Sequence, residues 1–240
     1  MVLVTLLAER KILRLSAITL ARVLGFVEIA DLISGGKVSL PEMVRHLAEK
    51  YSFQKFPMTF EDLDISKGIE FLEGTSGEYP ITKFVIWDTL MIVETRVNTD
   101  VSKAILEDML LWASREVGIN YKPGSIKRFG YISSVTFFSD APLLDLHPAV
   151  EKLAASCTEE VSAIWQEPVK YESLSVRVGH DPTARKNGLA QFRIEHRAES
   201  RFSENKYFSE SPLPTDSHLA LLEQFERDIT LSRQASSPGS

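Results

Sequence analysis

Two histidines that each stand beside a carboxylate are the residues of this sequence whose types and spacing could do chemistry. They form the pairs His180-Asp181 and Glu195-His196, near the ends of two predicted strands. An imidazole titrates near neutral pH, so a histidine next to a carboxylate could act as a general acid or base or could bind a metal ion. A hydrolase-like site in the loop after the first strand would use His180 and Asp181 together with Arg185 or Lys186.

The predicted hairpin keeps the two histidines apart. If the hairpin closes near Ala184, His180 lies opposite Gly188, and His196 lies about eight positions further along the strand, on the order of 25 Å away. One metal ion cannot contact both side chains, so we expect no metal site. His196 shares its side of the strand with Ile194, which favours a neutral imidazole that faces the core.

Motifs for nucleotide binding and acyl transfer are absent from the sequence. It contains no Gly-x4-Gly-Lys-[Ser/Thr], no Gly-x-Gly-x-x-Gly and no Gly-x-Ser-x-Gly. The single cysteine, Cys157, excludes an intrachain disulfide and a cysteine-based zinc site, and it favours a reducing compartment. The dipeptide Asp181-Pro182 is typical of a turn. We therefore expect no cofactor, and we favour a non-catalytic protein over an enzyme.

Three arginines follow one side of the predicted hairpin: Arg177, Arg193 and Arg197. Arginines on an open sheet can stack on bases and pair with phosphates, as single-stranded nucleic acid requires. Glu195 and Glu199 alternate with them, however, and cross-strand ion pairs would neutralise the positive charge. The chain carries a net charge of −6, from 27 basic and 33 acidic residues, which also argues against nucleic acid as the partner.

Residues 202–208 place three aromatic side chains in a segment that is predicted to be a polar connection. Exposed aromatics in a loop indicate a packed flap or an interaction edge. With the hairpin arginines, they complete the predicted binding residues, which are Arg177, Arg193, Arg197, Phe202, Tyr207 and Phe208.

The elements that position these residues follow from hydrophobic periodicity. Of 240 residues, 44% are hydrophobic and 25% charged, as in ordinary globular proteins. Ser39 and Glu42 have the spacing of a capping box before one helix. The patterns predict helices over about 40–51, 100–117, 148–164 and 216–231, and strands over 69–73, 81–87, 90–97, 129–139, 171–179 and 189–199. This order predicts an α+β fold with a mixed, largely antiparallel sheet of about six strands and helices on one face.

Two further patterns concern single elements. Residues 90–139 could form a βαβ crossover, in which two parallel strands are joined through a helix. The helix that begins near 148 carries an apolar stripe that we expect to face the core, with Cys157 buried inside it. The stripe consists of Val150, Leu153, Ala154, Cys157, Val161 and Ile164.

The N-terminal residues 1–34 form a predicted apolar and basic helical segment. Charged residues interrupt its apolar run too often for a membrane span, and the order of charges and apolar residues is wrong for secretion. We divide the remainder into an α+β domain over 35–231 and a disordered tail over 232–240. The expected function is a non-catalytic protein-interaction or assembly subunit in the cytoplasm, with contacts through the N-terminal helix and residues 202–208. A hydrolase-like enzyme and a single-stranded nucleic-acid binder are the alternatives.

Overall fold

The computed structural model describes residues 13–33, 39–181, 183 and 190–236. Within these ranges the chain forms eight strands and five α-helices. The strands are β1 (Arg14–Phe26), β2 (Ile69–Ser76), β3 (Tyr79–Ile86), β4 (Leu90–Thr95), β5 (Arg128–Phe138), β6 (Ser175–Val178), β7 (Phe192–His196) and β8 (Lys206–Ser211). The helices are α1 (Ile29–Ile33), α2 (Leu40–Lys50), α3 (Thr99–Glu116), α4 (Pro148–Trp165) and α5 (Thr215–Ser236).

The strands form one sheet in the order β2-β3-β4-β1-β5-β8-β7-β6, and each neighbouring pair is antiparallel. The predicted α+β class with a largely antiparallel sheet is confirmed, with eight strands in place of about six. β4 and β5 both run antiparallel to β1, which lies between them, so these two strands are parallel to each other. The predicted crossover over 90–139 therefore joins parallel strands that are separated by one strand.

The prediction of an N-terminal helix is wrong over residues 14–26, which form the interior strand β1. Ala21 and Val23 are fully buried on one face, while Leu24 and Phe26 on the other face are half-buried. An interior strand accepts apolar residues at successive positions, and a short run of this kind cannot be told from a buried helix by periodicity. Pairing with β4 and β5 then overrides the local preference for a helix. Residues 1–12 and 34 of that prediction lie outside the described residues.

Helices α3 and α5 lie on the same face of the sheet. α3 packs on β4 and β1, and α5 packs on β5. Ala21 and Ser133 are directly opposite each other, so they share a face. The Ser102 hydroxyl on α3 donates to the Ala21 carbonyl (2.8 Å), and His218 on α5 is hydrogen-bonded to the Ser133 hydroxyl (3.1 Å). α2 and α3 pack over one apolar core, and α5 packs over a second core near β5, β7 and β8.

A seam of buried polar side chains holds α5 against α3 and the sheet. The Thr99 and Thr215 amides each donate to the other residue's hydroxyl, at 3.2 and 2.8 Å, and so join the first turns of the two helices. His218 is fully buried, with its two ring nitrogens bonded to Ser209 (2.8 Å) and Ser133 (3.1 Å). Because burial disfavours the charged ring, the pKa of His218 is lowered to about 4.

The start of α2 agrees with the sequence prediction, and the start of α3 differs from it by one residue. The Ser39 and Glu42 capping box at α2 is confirmed. Asn98 caps α3, because its side chain accepts from the Asp100 amide (2.8 Å), and the helix begins at Thr99 instead of about residue 100. At the C-terminal end of the chain, α5 continues to Ser236, and residues 237–240 lie outside the described part of the chain.

The predicted polar connection over 201–215 contains a strand, β8. Tyr207, Ser209 and Ser211 point inward and are buried, whereas Phe208 and Glu210 lie on the opposite face and are half-buried. Tyr207 and Phe208 are therefore strand residues, and the prediction that they stand in an exposed loop is wrong. Because two of the three inward positions are serines, β8 lacks the alternation of apolar and polar residues that is typical of a half-buried strand.

Candidate interaction surface

Helix α4 packs on the protein through its small and hydroxyl-bearing side chains. Thr158 accepts a hydrogen bond from the Tyr171 amide (2.9 Å), and Ser162 both donates to the Val169 carbonyl (3.2 Å) and accepts from the Val169 amide (3.0 Å). These bonds fix α4 alongside residues 169–171, which lead into β6. They also satisfy backbone groups that have no strand partner there.

The apolar stripe of α4 is only partly covered by this contact. Ala154, Cys157 and Val161 lie toward the side of Thr158 and Ser162 and are half-buried with them. Leu153 and Ile164 are 64% and 74% exposed, and none of the 18 residues of α4 is buried. The prediction that the stripe faces the core is therefore wrong for its exposed half, and Cys157 is half-buried rather than buried. Hydroxyl bonding to residues 169–171 decides which side of α4 packs on the protein.

Strand β6, next to α4 in the chain, forms one edge of the sheet. Among the described strands it has a neighbour on one side only, β7. Leu174 and Val178 are 60% and 65% exposed. The opposite edge, β2, is partly covered, because Lys55 bridges to Leu72. We call the following side chains the exposed apolar surface: Val150, Leu153, Ile164, Trp165, Tyr171, Leu174 and Val178.

The predicted parity of the β6–β7 hairpin is confirmed, and its arginines are ion-paired. Arg177 lies 3.9 Å from Glu195, and Arg193 lies 3.8 Å from Glu195 and 3.6 Å from Glu210. These side chains occupy the face away from the α3 and α5 helices, and Arg197 is exposed just beyond the end of β7. The guanidinium of Arg193 also lies 5.2 Å from the ring centre of Phe208. The cross-strand pairing lowers the positive charge that nucleic acid would need.

In the loop after β6, Asp181 and Thr183 form a hydrogen-bonded turn. The Asp181 carboxylate accepts from the amide (2.8 Å) and hydroxyl (2.7 Å) of Thr183, and these bonds lower the pKa of Asp181. The Nδ1 atom of His180 lies 2.8 Å from the Asp181 carbonyl oxygen. The other two predicted catalytic residues, Arg185 and Lys186, lie outside the described residues.

The separation of the two histidines is smaller than predicted but still large. Val178 is opposite Phe192, so His180 reaches the level of Ala190, six positions from His196 instead of eight, which is about 20 Å. A single ion cannot bridge that distance. Within the described ranges, no group of three or more His, Cys, Asp or Glu residues is arranged to hold a metal ion.

His196 lines a small cleft that the sequence did not indicate. Its ring centre lies 4.8 Å from that of Phe202 and 5.0 Å from that of Tyr207, so Phe202 packs on the histidine. Burial lowers the pKa of His196, which favours the neutral imidazole. The cleft holds about 180 Å³ and adjoins a larger one of about 450 Å³ beside α4.

The charged side chains in this cleft are already paired. Asp145 bonds to Arg233 at 2.9 Å, and Lys170 pairs with Glu172. The smaller cleft lies below the roughly 300 Å³ at which ligand pockets begin. The larger cleft, of about 450 Å³, lies within the range of ligand pockets. The functional interpretation nevertheless centres on the exposed apolar side chains of α4 and β6, because they leave the largest apolar area of this region in solvent.

The sequence matches no model of a known protein family, and a search of curated proteins finds no significant similarity. Among the described residues, no helix combines the length and apolar character needed to cross a membrane. The described part of the chain is an α+β protein with a large antiparallel sheet, and apolar side chains are exposed at its β6 edge.

Proposed function

We propose that this chain is a non-catalytic protein-interaction or assembly subunit and that it binds through the exposed apolar surface of α4 and β6. The observation that carries the proposal is that α4 is 18 residues long, buries none of them and leaves Leu153 and Ile164 of its apolar stripe 64% and 74% exposed. The proposed compartment is the cytoplasm, supported by the presence of a single cysteine, Cys157.

The energetics favour coverage of this surface. Burying one Leu or Ile side chain contributes roughly 1.5–3 kcal/mol, and isolated helices of this length are marginally stable in water. Each of the seven side chains of the exposed apolar surface leaves at least 43% of its area in solvent. A standard protein interface spans about 20–30 residues per partner, so a partner that covers these side chains would also contact their neighbours. A partner would stabilise α4 and remove this apolar area from water.

The contact residues proposed here differ from those predicted from the sequence, which were the N-terminal segment and residues 202–208. The segment around residues 14–26 is an interior strand, and Tyr207 is part of the core, so neither offers a contact surface. The alternatives have weaker support from the described residues. The carboxylate of Asp181 is used in a turn, and Arg177 and Arg193 are paired with carboxylates.

The proposal predicts that charges placed in the stripe of α4 weaken assembly. The double variant Leu153→Asp and Ile164→Asp should raise the dissociation constant of the assembly by roughly a hundredfold or more, because buried unpaired charges are costly. The measurement is sedimentation velocity of the wild-type chain and the variant over a range of protein concentrations.

Lys152→Asp is the matched control, because it adds an acidic side chain to the same helix at an exposed position outside the stripe. It should leave the dissociation constant unchanged within about threefold. A wild-type chain that stays monomeric at all concentrations would overturn self-assembly through this surface. Equal effects of the control and the double variant would do the same.

A further inference from the structure

We propose that two copies of this chain pair through the outer edges of their β6 strands, antiparallel to each other, about a two-fold axis that passes through Val176. The two eight-stranded sheets would then continue as one. This inference rests on the proposed function and names a second copy of the chain as the partner.

The backbone of β6 has a defined set of outward-pointing groups. The His196 amide donates to the Leu174 carbonyl (3.1 Å), so Leu174 and His196 form a hydrogen-bonded pair of the β6–β7 ladder. Hydrogen-bonded and non-hydrogen-bonded positions alternate along an antiparallel pair. Val176 and Val178 therefore also direct their backbone groups to β7, and the amides and carbonyls of Ser175 and Arg177 point away from the sheet.

These groups select one self-complementary register. With Val176 on the axis, Ser175 lies opposite Arg177 of the second copy, and each residue offers an outward amide and carbonyl to the other. On the α5 side of the sheet, Val176 lies opposite Val176 of the second copy, and Leu174 lies opposite Val178. Every exposed apolar side chain of the strand then meets another apolar side chain.

The neighbouring registers are less favourable. A shift toward the C-terminal end of the strand sets Arg177 opposite Arg177 of the second copy, which places like charges together. A shift in the other direction sets Val178 opposite Glu172 and leaves the valine against a carboxylate. Charge and apolar pattern therefore agree on the register with Val176 at the axis.

Helix α4 limits the length of this pairing and adds area to it. Its bonds from Thr158 and Ser162 hold it alongside residues 169–171, directly before β6. From there α4 runs toward β6 and lines a cleft together with Ser173, so the second copy can pair only with residues 174–178. Four-residue pairing is small for a stable interface, and the apolar stripe of α4 beside it supplies further contact area.

A cysteine at the axis tests the register directly. In a Cys157→Ser background, Val176→Cys should form an interchain disulfide on mild oxidation. Non-hydrogen-bonded partners have Cα atoms about 4.5 Å apart, within the range of about 4.4–6.8 Å that a disulfide spans. Ser175→Cys in the same background is the matched control, because Ser175 and its copy are diagonal neighbours at roughly 7–8 Å. The expected result is at least about tenfold more cross-linked dimer for Val176→Cys than for the control.

A second pair of variants tests the backbone. Arg177→Pro removes an outward amide without removing a donor to β7, and edge strands tolerate proline at such positions. It should raise the dissociation constant of the dimer by roughly tenfold or more, with the circular dichroism spectrum unchanged. Arg177→Ala loses the same ion pair with Glu195 but keeps the amide, so it should stay within about threefold of wild type.

The outcomes separate this inference from the proposed function. A wild-type chain that assembles, combined with Val176→Cys that cross-links no better than Ser175→Cys, would overturn the β6 pairing and leave the α4 surface as the interface. Preferential cross-linking at position 176, weakened by Arg177→Pro and not by Arg177→Ala, would support the pairing. A wild-type chain that is monomeric at every concentration would overturn the β6 pairing, whereas the proposed function is contradicted when the double variant in α4 behaves like its Lys152→Asp control.

Discussion

Replacing Tyr207 with alanine is expected to lower the free energy of unfolding by about 3–5 kcal/mol. The Tyr207 ring is fully buried in the core near α5, and its centre lies 5.7 Å from that of Phe137. Its hydroxyl accepts a hydrogen bond from the Leu143 amide at 3.0 Å. The variant would leave both a cavity and an amide without its acceptor. Urea unfolding, followed by circular dichroism, measures the change.

Two companion variants show which part of Tyr207 matters. Tyr207→Phe keeps the ring and leaves the buried Leu143 amide without its acceptor, so it should cost about 1–3 kcal/mol. Phe208→Ala, on the opposite and partly exposed face of β8, should cost about 1 kcal/mol. Equal costs for Tyr207→Ala and Phe208→Ala would show that the assignment of inward and outward residues in β8 is wrong.

Mild acid is expected to destabilise the protein through His218. The pKa of this residue is lowered by burial from 6.5 to about 4, so the unfolded chain binds a proton at a higher pH than the folded chain does. The contribution of His218 to the free energy of unfolding is therefore complete above pH 6.5, and it decreases as the pH falls toward 4. A shift of this size corresponds to about 3 kcal/mol between the two ends of that range.

The variant His218→Gln isolates this contribution. Glutamine can still donate to one serine and accept from another, but it does not titrate. Between pH 6.5 and 4 the free energy of unfolding should therefore decrease less for the variant than for the wild type. The expected difference between the two decreases is about 3 kcal/mol. His46→Gln, in α2 and outside the buried polar seam, serves as the control and is measured over the same pH range. Parallel pH profiles for wild type and His218→Gln would contradict the account of the buried polar seam.

The sequence was sufficient to predict the elements whose residue pattern agrees with their environment in the folded protein. In β6 and β7, apolar and charged residues alternate, and Val176 lies opposite Ile194 on the inner face. The capping box of Ser39 and Glu42 likewise depends on residues within one turn of each other. Local chemistry decides such features, so a reader of the sequence can find them.

The wrong predictions share a physical cause, which is dependence on distant partners. β1 looks helical because both of its faces carry apolar residues, and its state is set by pairing with β4 and β5. β8 was missed because Ser209 and Ser211 occupy inward positions, where Ser209 bonds to His218. The side of α4 that packs on the protein is set by hydroxyl bonds to residues 169–171, which no periodicity within the helix reveals.

The predicted site residues divide in a similar way. Arg177 and Arg193 do share a face with Glu195, as their parity indicated. Phe202 and Tyr207 come together around His196, a contact that depends on the fold of β8. The exposed apolar surface could be predicted only in part, because the stripe of α4 is visible in the sequence and the exposure of Leu153 and Ile164 is not.

Residue-resolved hydrogen exchange across a concentration series tests the assembly surface most directly. We predict that the outward amides of Ser175 and Arg177 exchange more slowly as the protein concentration rises, by roughly tenfold or more between the dilute and the associated chain. The Val176 amide, already bonded to β7, should change much less. Exchange rates at Ser175 and Arg177 that stay the same at all concentrations, in a chain shown to associate, would contradict β6 as part of the interface.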